Sequence, residues 1–225
     1  MQNGMIVDLP YAPVAVLLFL GTTLGLLVGG IVALVAFFTK QRKLSQLILK
    51  LMAAGAGLYA VLLFAASLTS QERVLAAGVE KHYCEIDCHI AYSVTGTLYS
   101  KSFTDGKQSR TARGEFAIVT LHTRFDETTI GPNRGNGELQ PSPRQIEVTD
   151  AAGNNYAPVA ITGRPLTTPL RPGESYVTTF VFDLPVNVVR PKLYLDNAPW
   201  PNRLLIGHED SLLHKKAYFD LAVKT

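Results

Sequence analysis

No charged side chain occurs between residues 9 and 39, and none between residues 51 and 69. Charged residues make up only 17% of the 225-residue chain, and its mean hydropathy is +0.16. Gaps of this length exclude a chain that is solvated along its whole length. The first contains 25 nearly continuous apolar or small residues, 14–38, and the second supplies 19. At 1.5 Å per residue the longer run makes roughly 37 Å of helix, enough to cross a hydrocarbon core of about 30 Å with some tilt.

Acidic residues are missing from the stretch between the two runs, TKQRKLSQLILK, which carries Lys40, Arg42, Lys43 and Lys50. Residues 1–13 have no Lys or Arg and a single acid, Asp8. The positive-inside rule puts the loop 39–50 in the cytoplasm and both termini outside. A start without a basic n-region, followed by a run too long for an h-region, is not expected to be a cleavable signal peptide. Gly21, Gly25 and Gly29 recur every four residues, which predicts a small-residue face where the second helix packs closely.

Clusters of more than two adjacent basic residues are absent beyond residue 69, where 17 basic and 17 acidic residues balance. The net charge of +3 therefore comes from the four basic residues of the cytoplasmic loop less Asp8, and nucleic acid is excluded as a partner. The expected organisation is an exoplasmic tail 1–13, a transmembrane hairpin 14–69, a connector 70–88 and an exported domain 89–225. Residues 70–79 (SQERVLAAGV) extend the second helix or form that connector.

Helical periodicity is missing after residue 88. Ile90, Tyr92 and Val94 alternate in the first run; EFAIVTLHTRF (115–125) is apolar on both faces, as a central strand is. RQIEVTDAAGNNYAPV predicts a hairpin with its turn at 150–155. A Pro-Gly turn precedes strand 176–184, and short strands follow at 192–196 and 217–223. Six or seven strands without helices between them predict a β-sandwich. The Gly-, Pro- and Asn-rich insert DETTIGPNRGNGELQPSPR predicts a mobile surface loop suited to contact with a partner.

GEFAIVTLHTRF, VTDAAGNNY, LRPGESYVTTFVFDLP and KLYL, in that order, resemble a bacterial immunoglobulin-like domain of unknown function found on exported lipoproteins and membrane-anchored proteins. Asp150, Gly153 and Tyr156, then Pro172, Gly173 and Glu174, then Phe180, Phe182 and Pro185 carry the resemblance. It covers about half the exported part. It implies an immunoglobulin-like sandwich with an extracytoplasmic accessory or binding role, and it implies no catalytic residues. A two-helix anchor here replaces a lipid, and the cysteines lie outside the matching region.

Only two cysteines exist, both in KHYCEIDCHIAY (81–92). Outside the cytoplasm, Cys84 and Cys88 are expected to form a disulfide that fixes a local turn. Their company of His82, Glu85, Asp87 and His89 also suits copper or zinc, held by Cys84, Cys88 and His89 with His214 folding back from before the last strand. A third reading is c-type haem on Cys84, Cys88 and His89, one residue longer than the usual spacing, with His208 or His214 as second axial ligand.

Two helices, a β-domain and a Cys-x-x-x-Cys loop also resemble subunit II of haem-copper oxidases. That resemblance implies a dinuclear copper centre, but Tyr92 stands where that family has a histidine. Methionine is absent after Met52, and the loop precedes the β-domain instead of closing it.

A Gly-x-Ser-x-Gly elbow is absent too, so Asp210, Ser211 and His214 read as a polar loop and not as a hydrolase triad. His122 reads as structural and Trp200 as a core or edge plug. The expectation is a non-catalytic, membrane-anchored extracytoplasmic accessory or binding module without a cofactor, meeting a protein partner through its hairpin or its exported domain. The alternative is an electron-transfer or metal-handling subunit of a membrane redox complex using copper, zinc or haem c.

Overall fold

The computed structural model describes residues 5–6, 12–82, 89–106, 108–131, 133–196 and 200–222. They form two units, one of Met1–Asp8, Glu72–Asn197 and Lys216–Thr225, the other of Leu9–Gln71 and Ala198–Lys215.

The second unit is built on two helices of 27 residues each, α1 (Ala12–Phe38) and α2 (Arg42–Leu68). Both are long and apolar enough to cross a membrane. Leu18, Leu24 and Phe37 are 47%, 63% and 56% exposed, and a helix that shows such residues around its circumference matches lipid better than water. α1 ends where the Gln41 amide donates to the Ala36 carbonyl at 2.8 Å, with Lys40 in the left-handed region at φ 63°.

Ala33 and Ala36 are buried on α1, and Ser45, Leu63 and Ser67 on α2. Of the three glycines expected on that face, Gly29 alone meets α2, where a Cβ would lie 3.0 Å from Met52 Sδ. Gly21 and Gly25 face open space. A four-residue step overshoots one helical turn by about 40°, so the glycine row drifts off the interface within eight residues. Segment 198–215 belongs to this unit. The Tyr59 hydroxyl donates to the Leu204 carbonyl at 2.7 Å, and the Lys215 amide donates to Ser70 Oγ at 2.8 Å.

The first unit is a two-sheet β-sandwich. Its strands are β1 (Met5–Ile6), β2 (Arg73–Leu75), β3 (Lys81–His82), β4 (Ile90–Asp105), β5 (Gln108–Phe125), β6 (Gln145–Thr149), β7 (Asn155–Tyr156), β8 (Ala160–Gly163), β9 (Ser175–Leu184), β10 (Lys192–Asp196) and β11 (Ala217–Asp220). One sheet has the order β1-β3-β4-β5-β9-β8 and the other β2-β11-β10-β6-β7. Alternating residues line the core: Val119, Leu121 and Phe182 from one sheet share it with Val148, Leu195 and Phe219 from the other, all fully buried. Side chains of this size each contribute roughly 1.5–3 kcal/mol by leaving water.

Residues 70–82 do more than connect. α2 stops at Leu68, and β2 and β3 then join different sheets, so the chain is in the sandwich from Arg73. β1 precedes α1 in the chain yet pairs in parallel with β3, Met5 opposite Lys81 and Ile6 opposite His82.

β4 and β5 run beyond the expected strands to a turn with Gly106 at φ 59°, and the Asp-Gly pair there is the local signal that marks it. The predicted 150–155 turn is present: Asp150 accepts from the amides of Ala152 and Asn154, both at 2.9 Å, and from the Tyr156 hydroxyl at 3.0 Å. These bonds, Asn154 first among them, hold its carboxyl below the usual range.

The insert expected as a mobile loop is tied to the sandwich. Leu139 and Leu170 exchange two backbone hydrogen bonds at 2.9 and 3.0 Å, and Ile130 and Leu139 pack on the core. Apolar side chains within a Gly/Pro-rich stretch supply that anchorage, which composition alone understates.

Candidate functional site

β3 and β4 pair antiparallel, with His82 opposite Ala91. β3 ends at His82 and β4 starts at Ile90. Cys84 and Cys88 lie outside the described residues, and so do the disulfide, the cysteine–metal ligation and the haem attachment expected of them. The two histidines bounding that segment are described, and both are bound to the loop that follows β5.

Asp126 is the centre of this arrangement. Its Oδ2 lies 2.9 Å from His82 Nε2, while its Oδ1 accepts from the Thr128 amide at 3.0 Å and the Thr128 hydroxyl at 2.7 Å. Arg124 forks onto Glu80 with two bonds of 2.8 Å and reaches Asp126 Oδ1 at 3.3 Å. Burial alone would raise the Asp126 pKa. The bonds from Thr128 and His82 outweigh it and hold the carboxyl at about 2. Glu80 is also lowered, chiefly by its bond from Arg124, whose own pKa is raised in return.

A carboxylate can only accept, so His82 donates through Nε2. Its Nδ1 is buried and has no hydrogen-bond partner among the described residues.

His89 stacks on Phe125, the centroids 5.2 Å apart and the planes 17° apart. The Asp126 amide donates to the His89 carbonyl at 2.7 Å. The Thr129 hydroxyl donates to the Asp126 carbonyl at 2.7 Å and lies 2.5 Å from His89 Nδ1. With its one proton committed, Thr129 accepts from His89 Nδ1–H.

Ligand atoms of Glu80, His82 and Asp126 all lie within 4.8 Å of one another, a spacing a metal ion can use. The Arg124 fork already engages both Glu80 oxygens, and Thr128, Arg124 and His82 engage both Asp126 oxygens. A cation would have to displace a guanidinium held by two carboxylates, so the set works as a hydrogen-bonded brace. Sequence reading passed over it because its members stand 44 residues apart.

His214 and His208 belong to the unit built on α1 and α2. His214 Nδ1 lies 2.7 Å from the Lys215 carbonyl. His208 is buried, its Nδ1 accepting from the Asp210 amide at 3.1 Å. The Ser211 hydroxyl donates to the Leu205 carbonyl, so its proton is not directed to His214. His122 is half-buried on β5, and the side chain of Trp200 lies outside the described set.

No family model and no curated protein matches the chain. One solved structure, a secreted protein of Mycobacterium tuberculosis named MPT63, is similar over 68% of this chain and 99% of its own, at 13% identity and a TM-score of 0.42. A likeness of that size carries no argument about this chain's role.

Proposed function

We propose that this chain is a membrane-anchored, non-catalytic extracytoplasmic binding module: a helical hairpin in the cytoplasmic membrane that carries an immunoglobulin-like sandwich on its outer face. The observation that supports it best is the parallel pairing of β1 with β3. A strand before the first helix and a strand after the second share one sheet, so both ends of the hairpin leave the bilayer on the same side. Four basic residues and no acid between the helices put that side opposite the cytoplasm. The sandwich then meets its partner in the extracytoplasmic space.

Alkaline phosphatase, active only after export, tests the orientation in a bacterial host. A fusion after residue 225 is expected to be active and one within the 40–43 loop inactive. The reverse pattern would refute the reading.

A second reading, a metal or haem centre at Cys84, Cys88 and His89, draws support from one observation. His89 Nδ1 donates to Thr129, as the non-ligating nitrogen of a metal-bound histidine donates to its neighbour.

A further inference from the structure

The sandwich does not close along its β8 edge. Ile161 pairs directly with Phe180, and cross-strand partners point to the same side of a sheet, so both face inward. Phe180 is 2% exposed, yet Ile161 is 58% exposed. The second sheet ends in β7, only two residues long, and leaves this inward isoleucine uncovered. Between β8 and the start of β6 lies a cleft of about 640 Å³, inside the range of roughly 300–1,000 Å³ typical of small-molecule sites.

Its walls are apolar and stiff. Ile146, Ile161, Leu166 and Phe180 line it together with Pro143, Pro158 and Pro165. The Leu166 carbonyl accepts from the buried Tyr176 hydroxyl at 2.7 Å. Gly163 sits at φ 89°, where a Cβ would meet the Val177 carbonyl at 2.7 Å, so the β8 wall approaches β9 as only glycine allows.

Arg144 is the basic residue among the polar ones, Gln145, Glu147 and Thr167, that interrupt the apolar lining. Arg144, which immediately precedes β6, is turned inward: its Cζ lies 5.0 Å from the ring centroid of the fully buried Tyr92. Glu147, the carboxylate at the cleft, has the outward parity. A stacked guanidinium at the inner end of an apolar cleft matches a carboxylate or phosphate, which would join the contacts Arg144 already makes.

We infer that this cleft binds a single acyl chain ended by an anionic head, the chain lying along Ile161, Leu166 and Phe180 and the head meeting Arg144. A free fatty acid and a lysophospholipid share that chemistry, and the bilayer to which the module is tethered supplies either. The inference names a ligand class for the proposed binding module. Its failure is distinguishable from failure of that reading, because the cleft lies wholly within the sandwich and the phosphatase fusions do not report on it.

The test is photo-cross-linking of the full-length protein in lipid nanodiscs with a palmitate analogue carrying a mid-chain diazirine, the adducts being mapped by peptide mass spectrometry. Adducts are expected on residues 143–147 and 157–167. They should fall about tenfold or more in Ile161→Trp, which fills the cleft, and in Arg144→Met, which removes the charge. Ile161 is exposed, so its replacement leaves the packed core intact and reads the site even where Arg144→Met lowers the folded fraction. Competition by palmitate points to the free acid and competition by lysophosphatidylglycerol to a phospholipid; either supports the site. Adducts confined to α1 and α2, or unaffected by Ile161→Trp, would overturn it. Methyl palmitate competing as well as palmitate would overturn the role of Arg144.

Discussion

His82 and Asp126, 44 residues apart in the chain, meet through a 2.9 Å Nε2–Oδ2 hydrogen bond with both side chains buried. The bond ties the strand that enters the 83–88 segment to the loop that leaves β5. Asp126 also holds the far end of that segment, through its amide and the His89 carbonyl.

Removing that carboxylate should cost the sandwich stability. Asp126→Ala leaves His82 and Arg124 with one charge partner fewer in a buried setting, an expected loss of about 3 kcal/mol. The dependence on pH follows from the lowered pKa. A carboxyl at about 2 in the folded chain and near 4 when unfolded contributes its full share above about pH 5; that share is lost as pH falls from 4 through 2. The difference is on the order of 2 kcal/mol, and lowered Glu80 adds in the same direction. Thermal unfolding of the wild type in detergent is expected to show a falling midpoint over that window, with a flatter profile in Asp126→Ala. Parallel profiles would rule out Asp126 as the source.

Gly114 is a packing constraint. A Cβ there would lie 2.0 Å from the Leu184 carbonyl oxygen and 2.9 Å from Pro185 Cα, both backbone atoms that cannot rotate aside. Gly114→Ala is therefore expected to destabilise the sandwich by about 1–3 kcal/mol. Gly96→Ala is the control, since its Cβ would meet only Thr120 Oγ1 at 4.0 Å. Equal unfolding midpoints for the two variants would refute the close approach of β5 to the end of β9.

Asp150 organises the turn between β6 and β7 without serving the core. In Asp150→Ala the amides of Ala152 and Asn154, which now donate to its carboxylate, should exchange with deuterium markedly faster. Core amides of β5 and β9 should change little. Faster exchange throughout the sheet would mean that the turn nucleates the sandwich and does not merely close it.

Thiol and metal analysis of protein isolated from its native membrane separates the two functional readings. The binding-module reading expects Cys84 and Cys88 to resist alkylation until reduced, with no stoichiometric metal and no visible absorption band. A thiolate-to-metal or haem band would favour the redox-centre reading instead, and His89→Ala should then shift or abolish it.

The parts of this protein legible in its sequence are those whose cause is local. Two uncharged runs were enough for two apolar helices, because hydrocarbon thickness sets a length that any window along the chain can detect. The turn at Asp150 was equally legible, since its acceptor and donors lie within six residues. Strands β5 and β9 followed from their own β-branched and aromatic content. The Asp105-Gly106 turn carried an equally local signal that went unused, which is why β4 and β5 prove longer than expected.

Tertiary structure alone decided the rest. No local pattern joins Met5 to Lys81, recruits residues 73–82 into two different sheets, or fastens segment 198–215 to α2 through Tyr59. Each depends on register and burial between segments tens of residues apart, and the energy of such a pairing appears only when both partners are present. The same holds for His82 and Asp126. Sequence drew attention to the cysteines as a cluster of neighbours; the fold joined the histidines on either side of them to one distant aspartate, because the hairpin of β3 and β4 ends where β5 ends.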